Sequence, residues 1–268
     1  MSIEKTEAIV LRAVNYRDSS KIVTFYTKRY GKMSAIAKGA RNPKSKFGSL
    51  FQPLNYLQIV FYRRESRELQ YVSSSDFVRY FKSLTSDVDR FSIAMSLIEI
   101  INRVMHDEEE NEAVFTLLAD SLGALDGPDT FPRNTFAHFG LNLAIALGFT
   151  PNFAECLHCS EPIDLEKDRK VYYVVEKGGP VCEKCTSVLS EGLHSAGAFE
   201  ISAPALLILR SFTRLTPAAA ARAQMEQALR NEISNFVFIY LKKHSGTLKE
   251  IKALKFLATS QYDWPGKE

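Results

Sequence analysis

KIVTFYTKRYGKMSAIAKGARNPKSKFGS, residues 21–49, is two short β-type runs followed by a cationic loop, and its reading sets the fold of the amino-terminal part. KIVTFYT and KMSAIAK are rich in β-branched and aromatic residues and are separated by the turn-forming KRYGK. Beyond them Lys38, Arg41, Lys44 and Lys46 sit on a string of Gly, Pro, Asn and Ser with no acid among them. Such a loop is either a solvated connection or a basic arm that closes on an anionic polymer.

Three further runs of the same kind, EAIVLRAV, NYLQIVFY and ELQYVSS, give five strand candidates in about 80 residues. Alternation is clearest in Leu57, Ile59 and Phe61 and in Met33, Ala35 and Ala37, which predicts one sheet face buried and the other wet. Five short strands with long basic connections fit a small, partly open barrel of the oligonucleotide-binding (OB) type, with an SH3-like barrel as the alternative. After residue 85 the period changes. Phe91, Met95, Ile98, Ile101 and Met105 mark a first helical stripe, Val114, Leu117, Leu118 and Leu125 a second, and a third helix is predicted over 133–147. Ser202-Ala203-Pro204 and Thr216-Pro217 open two more helices, the last running to a cationic turn before Gly246. The expected class is α+β: an OB-fold barrel over residues 1–80, then a helical domain over 81–268 with a metal-binding insertion at about 150–190.

Charge divides the same way. Residues 1–80 hold 15 Lys and Arg against 6 Asp and Glu, a net of +9, while the other 188 residues hold 19 against 25, a net of −6. A basic domain joined to a mildly acidic remainder points to a polyanion partner. Lys32, Lys38, Arg41, Lys44 and Lys46 follow one another through a strand and a loop, and Arg63, Arg64 and Arg67 mark a second hairpin. The first 81 residues also hold 13 of the 30 aromatic residues, so rings for stacking on unpaired bases are at hand. Phe25, Phe61 and Tyr71 are expected in the core. Phe47, inside the basic loop, is either a stacking platform or a hydrophobic anchor for that loop.

The four cysteines form two C-x-x-C pairs, Cys156/Cys159 and Cys182/Cys185, 22 residues apart. Two such turns face to face complete a tetrahedral Cys₄ site for one Zn²⁺, with iron as the less suited metal. Four thiolates leave no open position, which predicts a structural ion. His106-Asp107-Glu108 has the H-x-E form of zinc deaminases, but neither Cys156 nor Cys182 directly follows a proline and His106 lies 50 residues from Cys156. With no phosphate-binding glycine motif or nucleophile elbow, an enzyme is not expected. MSIEKTEAIV is charged too early for a signal peptide, and the run LNLAIALGF falls short of the roughly 20 apolar residues of a membrane span, so a cytoplasmic protein with no membrane partner is expected.

AIVLRAVNYRDSSKIVTFYT (8–27), YGKMSAIAKGARNPKSKFGSLFQPL (30–54), a helical region, LGFTPNFAECLHCSEPID (147–164) and GGPVCEKC (178–185) together resemble the RecO family of bacterial recombination mediators. The resemblance runs along nearly the whole chain. It implies an OB barrel, a helical carboxy-terminal region and a zinc module, in a nucleoid-associated DNA repair protein without enzymatic turnover. It further implies binding of single- and double-stranded DNA, annealing of complementary strands, and work with RecR and RecF to load the recombinase RecA on DNA coated by single-strand-binding protein. Lys38, Arg41, Lys44 and Lys46 fall in the family's basic block, and the cysteines match its zinc-bearing members. For the acidic, apolar tail of single-strand-binding protein, LKKHSGTLKEIKALKFL (241–257) offers Lys249, Lys252 and Lys255 near Leu254 and Phe256. The rival expectation is an OB-fold scaffold that binds protein.

Overall fold

The structure, a computed structural model, describes residues 2–45, 47–64, 66–164, 171–186, 198–248 and 251–253. Five strands form a closed barrel: β1 (Ser2–Tyr16), β2 (Ser20–Thr27), β3 (Gly31–Ala37), β4 (Tyr56–Arg63) and β5 (Leu69–Arg79), in the order β1-β2-β3-β5-β4. All neighbours are antiparallel except β3 and β5, which run parallel with Ser34 opposite Leu69 and Ile36 opposite Tyr71. This is the topology expected of an OB barrel. Length lets β1 serve two partners: Ser2–Ile9 pair with β4 and Ala8–Tyr16 with β2, with an irregularity between Val10 and Arg12 that bends the strand around the barrel.

Alternate strand residues fill the interior, including Val10, Val23, Phe25, Met33, Ala35, Leu57, Ile59 and Phe61. The basic loop adds Phe47 and Phe51 to the same core. Phe51 meets Phe25 edge-on at 5.9 Å between ring centroids and Phe47 at 5.0 Å. Successive turns carry the loop between its anchors, through Asn42 N–H to Gly39 O at 3.1 Å, Ser45 N–H to Asn42 O at 2.9 Å and Leu50 N–H to Phe47 O at 2.8 Å. Leu54 N–H then returns the chain to β1 by donating to Val10 O.

Helix α1 (Val88–Val104) starts where Asp87 accepts from Arg90 N–H, and α2 (Glu112–Leu125) where Asn111 accepts from Val114 N–H. The apolar stripe expected on α1 needs correction. Its buried face is Ile93, Ala94, Leu97, Ile98, Ile100 and Ile101 together with Ser92 and Ser96, whereas Phe91 is exposed and Met95 only half-buried. Serine on the inner face is the reason: the Ser96 hydroxyl donates to Ile93 O at 2.6 Å, so a small polar residue packs without an unpaired group and hides the true period.

Contacts divide the chain into two compact units, one of Met1–Gly127 with the described residues 251–253, the other of the described residues within Pro128–Glu250. The second unit is built on α3 (Pro132–Ala146), β6 (Val171–Val174), β7 (Gly179–Val181), β8 (Ala198–Ile201), α4 (Ala203–Phe212), α5 (Pro217–Arg222) and α6 (Gln227–Ser245). Helix α3 is buried nearly all round and packs on α4, α5 and α6. Thr216 and Ser202 cap their helices as expected. The single long helix expected from Pro217 is instead two, broken between Arg222 and Gln227. Asn134 accounts for the break: its side-chain amide donates to Ala220 O and Ala223 O, its oxygen accepts from Arg230, and Arg230 also donates to Met225 O. No helix among the described residues is long and apolar enough to cross a membrane.

Phe51, 1% exposed, links the loop to the barrel wall. Replacing it with Ala is expected to cost about 3–5 kcal/mol in chemical denaturation. Limited proteolysis should then cut sooner within 38–45; an unchanged cutting pattern would show that the loop is not held by this ring.

Candidate nucleic-acid interface and metal centre

The expected cations separate into groups once placed on the barrel. Lys38, Arg41 and Lys44 are all exposed, at the end of the barrel where β1 turns into β2. Arg41 joins the basic loop to that turn: its N–H donates to Ser19 O at 2.9 Å, and its guanidinium to Arg17 O at 3.1 Å and Asp18 O at 3.2 Å. Arg17 and Lys21 are therefore neighbours of the loop. Lys46 lies outside the described residues.

A ring sits among these charges. Lys38 Nζ lies 4.7 Å and the Arg67 guanidinium 5.8 Å from the centroid of Tyr71. Tyr71, expected in the core, is half-buried on the outer face of β5, while Phe25 and Phe61 are buried as expected. Parity explains the difference, because Gln70 and Val72 point inward and Tyr71 between them must point out. An inward Gln hid the register. Its amide holds the β4–β5 loop, accepting from Arg64 N–H at 2.9 Å and donating to Arg64 O at 3.1 Å and Arg67 O at 2.6 Å.

Phe47 is 3% exposed, so of its two expected roles it takes the anchor's. A ring in the barrel core has no face to offer a base, and its assignment as a nucleic-acid contact is corrected on that ground. Lys32, on β3, is likewise engaged internally: its ammonium donates to Asn102 O at 3.1 Å and lies 3.2 Å from Asp107. Arg63 lies 4.9 Å from the Tyr30 ring, whose hydroxyl donates to Glu4 at 2.6 Å. That hydrogen bond is the first cause holding the Glu4 carboxyl below its ordinary range. Arg64 is exposed.

In the other unit the four cysteines converge. Their sulfurs lie within 4.8 Å of one another, and Cys159 Sγ is 3.9 Å from Cys182 Sγ. Tetrahedral coordination with metal–sulfur bonds of about 2.3 Å sets sulfurs roughly 3.8 Å apart. The separation matches a shared ion. Each pair rides a tight turn: Ser160 N–H donates to Cys156 O at 2.9 Å in the first, and Cys185 N–H to Cys182 O at 3.0 Å in the second. Strands β6 and β7 form the hairpin between them, and Leu157 N–H donates to Pro180 O at 2.8 Å to bring the first turn against it. Cys156, Cys182 and Cys185 share a small core with Val174 and Val181.

Electrostatics favour ionised sulfur at one position. Burial alone would push the Cys156 thiol up, but backbone N–H groups of Cys159, Cys182 and His158 outweigh it and hold the thiol at about 7. Burial and the neighbouring sulfurs push Cys185 up to about 12. A cation among the four relieves that crowding, and the set can hold a metal ion with no position left for substrate.

Two family models match the chain, Recombination protein O N terminal over residues 1–81 and Recombination protein O C terminal over residues 85–252. Among curated relatives, the DNA repair protein RecO of Chlorobium limicola is 35% identical over 66% of this chain and 69% of that protein. The DNA repair protein RecO of Chloroherpeton thalassium is 29% identical over 94% of this chain and 96% of its own length. That of Thermoanaerobacter sp. is 27% identical over 91% of this chain and 93% of its own.

One metal ion per chain is expected by elemental analysis, with a sulfur-only charge-transfer spectrum after cobalt substitution. Stripping it should lower the melting temperature and open the β6–β7 hairpin to protease before any other part. A metal-free preparation with the same melting curve and cleavage pattern would remove the stabilising role.

Proposed function

The chain belongs to the RecO family of DNA repair and recombination proteins, non-enzymatic mediators, and from that premise we propose that it binds single- and double-stranded DNA and anneals complementary strands. In this reading residues 1–80 are the nucleic-acid-binding domain, and residues 81–268 a helical domain with its metal insertion at about 150–190. The observation that supports it best is the grouping of Lys38, Arg41, Lys44, Arg17 and Lys21 at one end of the barrel, with Tyr71 between Lys38 and Arg67.

Annealing requires that phosphate repulsion between two strands be screened while their Watson–Crick edges stay free. Exposed lysines and arginines do this through counterion release, which is insensitive to sequence. Tyr71 adds a ring of limited exposure, suited to one unpaired base at a time. Arg64, exposed in the β4–β5 loop, adds a further cation; Lys46, the other cation proposed for this surface, lies outside the described residues. The four cysteines hold one Zn²⁺, which supplies cross-linking of two turns and no reaction step. The protein acts in the bacterial cytoplasm at the nucleoid, with RecR and RecF, to load RecA on DNA covered by single-strand-binding protein. For the tail of that protein, segment 241–257 supplies the cations; of its proposed contacts Lys252 is described, and Lys249, Leu254, Lys255 and Phe256 lie outside the described residues.

Fluorescence anisotropy with a labelled oligonucleotide across a salt series tests the reading. The variant Lys38→Ala/Arg41→Ala/Lys44→Ala is expected to bind more weakly and to flatten the logarithmic salt slope by about 0.7 for each single-strand phosphate that it no longer neutralises. Tyr71→Ala should lose about 1–3 kcal/mol on single strands with Tyr71→Phe close to wild type. Absence of oligonucleotide binding even in dilute buffer would leave the protein-binding scaffold as the better reading. An acidic tail peptide that binds equally well to a folded chain truncated after Gly246 would exclude segment 241–257 as its site.

A further inference from the structure

Five of the six residues from Asp107 to Glu112 are acids, and the structure lays them against the end of the barrel where β2 turns into β3. Asp107 bridges to Lys32 in parallel register, and Glu108 N–H donates to Lys32 O at 2.9 Å. Asp107 lies 3.2 Å from Lys32 Nζ, and Glu112 3.2 Å from Lys28 Nζ. The Tyr26 hydroxyl donates to Asn111 O at 3.4 Å.

Gly31 admits the segment. Its φ is +58°, and a Cβ there would stand 2.1 Å from Glu109 O, so the acidic backbone approaches β3 closer than any side chain allows. Backbone ties, and not charge alone, therefore fix the acids in place.

Their number exceeds what ion pairing uses. Among the ion pairs of the described residues, Asp107 and Glu112 are the two of the five acids that engage a cation. Both carboxylates are largely exposed, and such pairs add little stability. Glu108 and Glu110 instead line an open hollow of about 430 Å³ shared with Glu4, Arg29, Tyr30 and Arg63. Without the acids, Lys28, Arg29, Lys32 and Arg63 would form a second cationic end. The eight residues of β2 separate the two ends by about 23 Å at roughly 3.3 Å per residue. Asp107 and Glu108 also line a hollow with Lys32 and Arg67, and Arg67 lies 5.8 Å from the Tyr71 ring, so the acids border the near edge of the cationic group. Arg41, at the β1–β2 turn, stands beyond a Debye length of about 10 Å at 0.1 M salt and lies outside their reach.

We propose that the segment from Asp107 to Glu112 is an electrostatic fence that confines a nucleic-acid backbone to the basic-loop end of the barrel and so sets how many phosphates the protein engages. The inference rests on the DNA-binding reading above, and its test separates the two. In the full chain, Asp107→Asn/Glu108→Gln/Glu110→Gln/Glu112→Gln is compared with wild type by anisotropy on labelled oligodeoxythymidylate over a salt series. A charge-matched control neutralises exposed acids elsewhere: Asp120→Asn/Asp129→Asn/Glu155→Gln/Glu226→Gln.

The fence variant is expected to bind more tightly, with a salt slope steeper by about 0.7 for each phosphate newly engaged, while the control keeps the wild-type slope. Glu110→Lys alone leaves the backbone ties in place and should move the slope the same way, which covers misfolding of the quadruple variant. A wild-type slope in both fence variants, or a control that matches them, overturns the fence while leaving the DNA-binding reading intact if the basic-loop variant still loses affinity. No binding by wild type or any variant at low salt overturns both.

Discussion

A cationic loop can face a polyanion in a defined geometry only if something other than its charges holds it, because like charges on a flexible chain spread apart. Here two rings do the holding. Phe47 and Phe51 enter the barrel core and pack on each other, and Phe51 also meets Phe25, so the loop that carries Lys38, Arg41 and Lys44 is fastened by burial. Arg41 is fixed further by the β1–β2 turn carbonyls. Apolar packing thus positions a polar surface, and the closed barrel provides the core that makes it available. Without that closure neither ring has a site to enter.

The same barrel shows two electrostatic characters. At one end cations stand exposed around Tyr71 and the basic loop. At the other, Lys28 and Lys32 meet the acidic run that begins α2, and Arg63 shares Tyr30 with Glu4 nearby. A net charge of +9 over the first 80 residues therefore understates the contrast across the folded domain, since acids from beyond residue 80 return to one end of it. Charge counted along the chain and charge met by a ligand are different quantities.

The cysteine centre follows a different logic. Its hairpin is short and its own core small, with Val174 and Val181 against three of the four cysteines. Four sulfurs at coordination distance supply what so few apolar side chains cannot, and the hydrogen bonds that shape each turn are local to it. The centre can hold this part of the helical unit together without taking part in what the barrel binds.

Strand positions, the alternation of Leu57, Ile59 and Phe61, the helix caps at Ser202 and Thr216 and the pairing of the cysteines were legible in the amino-acid order, because each depends on neighbours a few residues apart. The stripe of α1 was not, since Ser92 and Ser96 are buried though polar in one dimension, Ser96 satisfying its hydroxyl within the helix. Nor was the break before Gln227, which answers to Asn134 more than 80 residues earlier. Sequence by itself determined a basic five-stranded domain and a four-sulfur cluster. Only tertiary structure decided which aromatic faces outward, which cations remain accessible and where the acids lie, because burial and charge compensation are set by chain segments that sequence keeps apart.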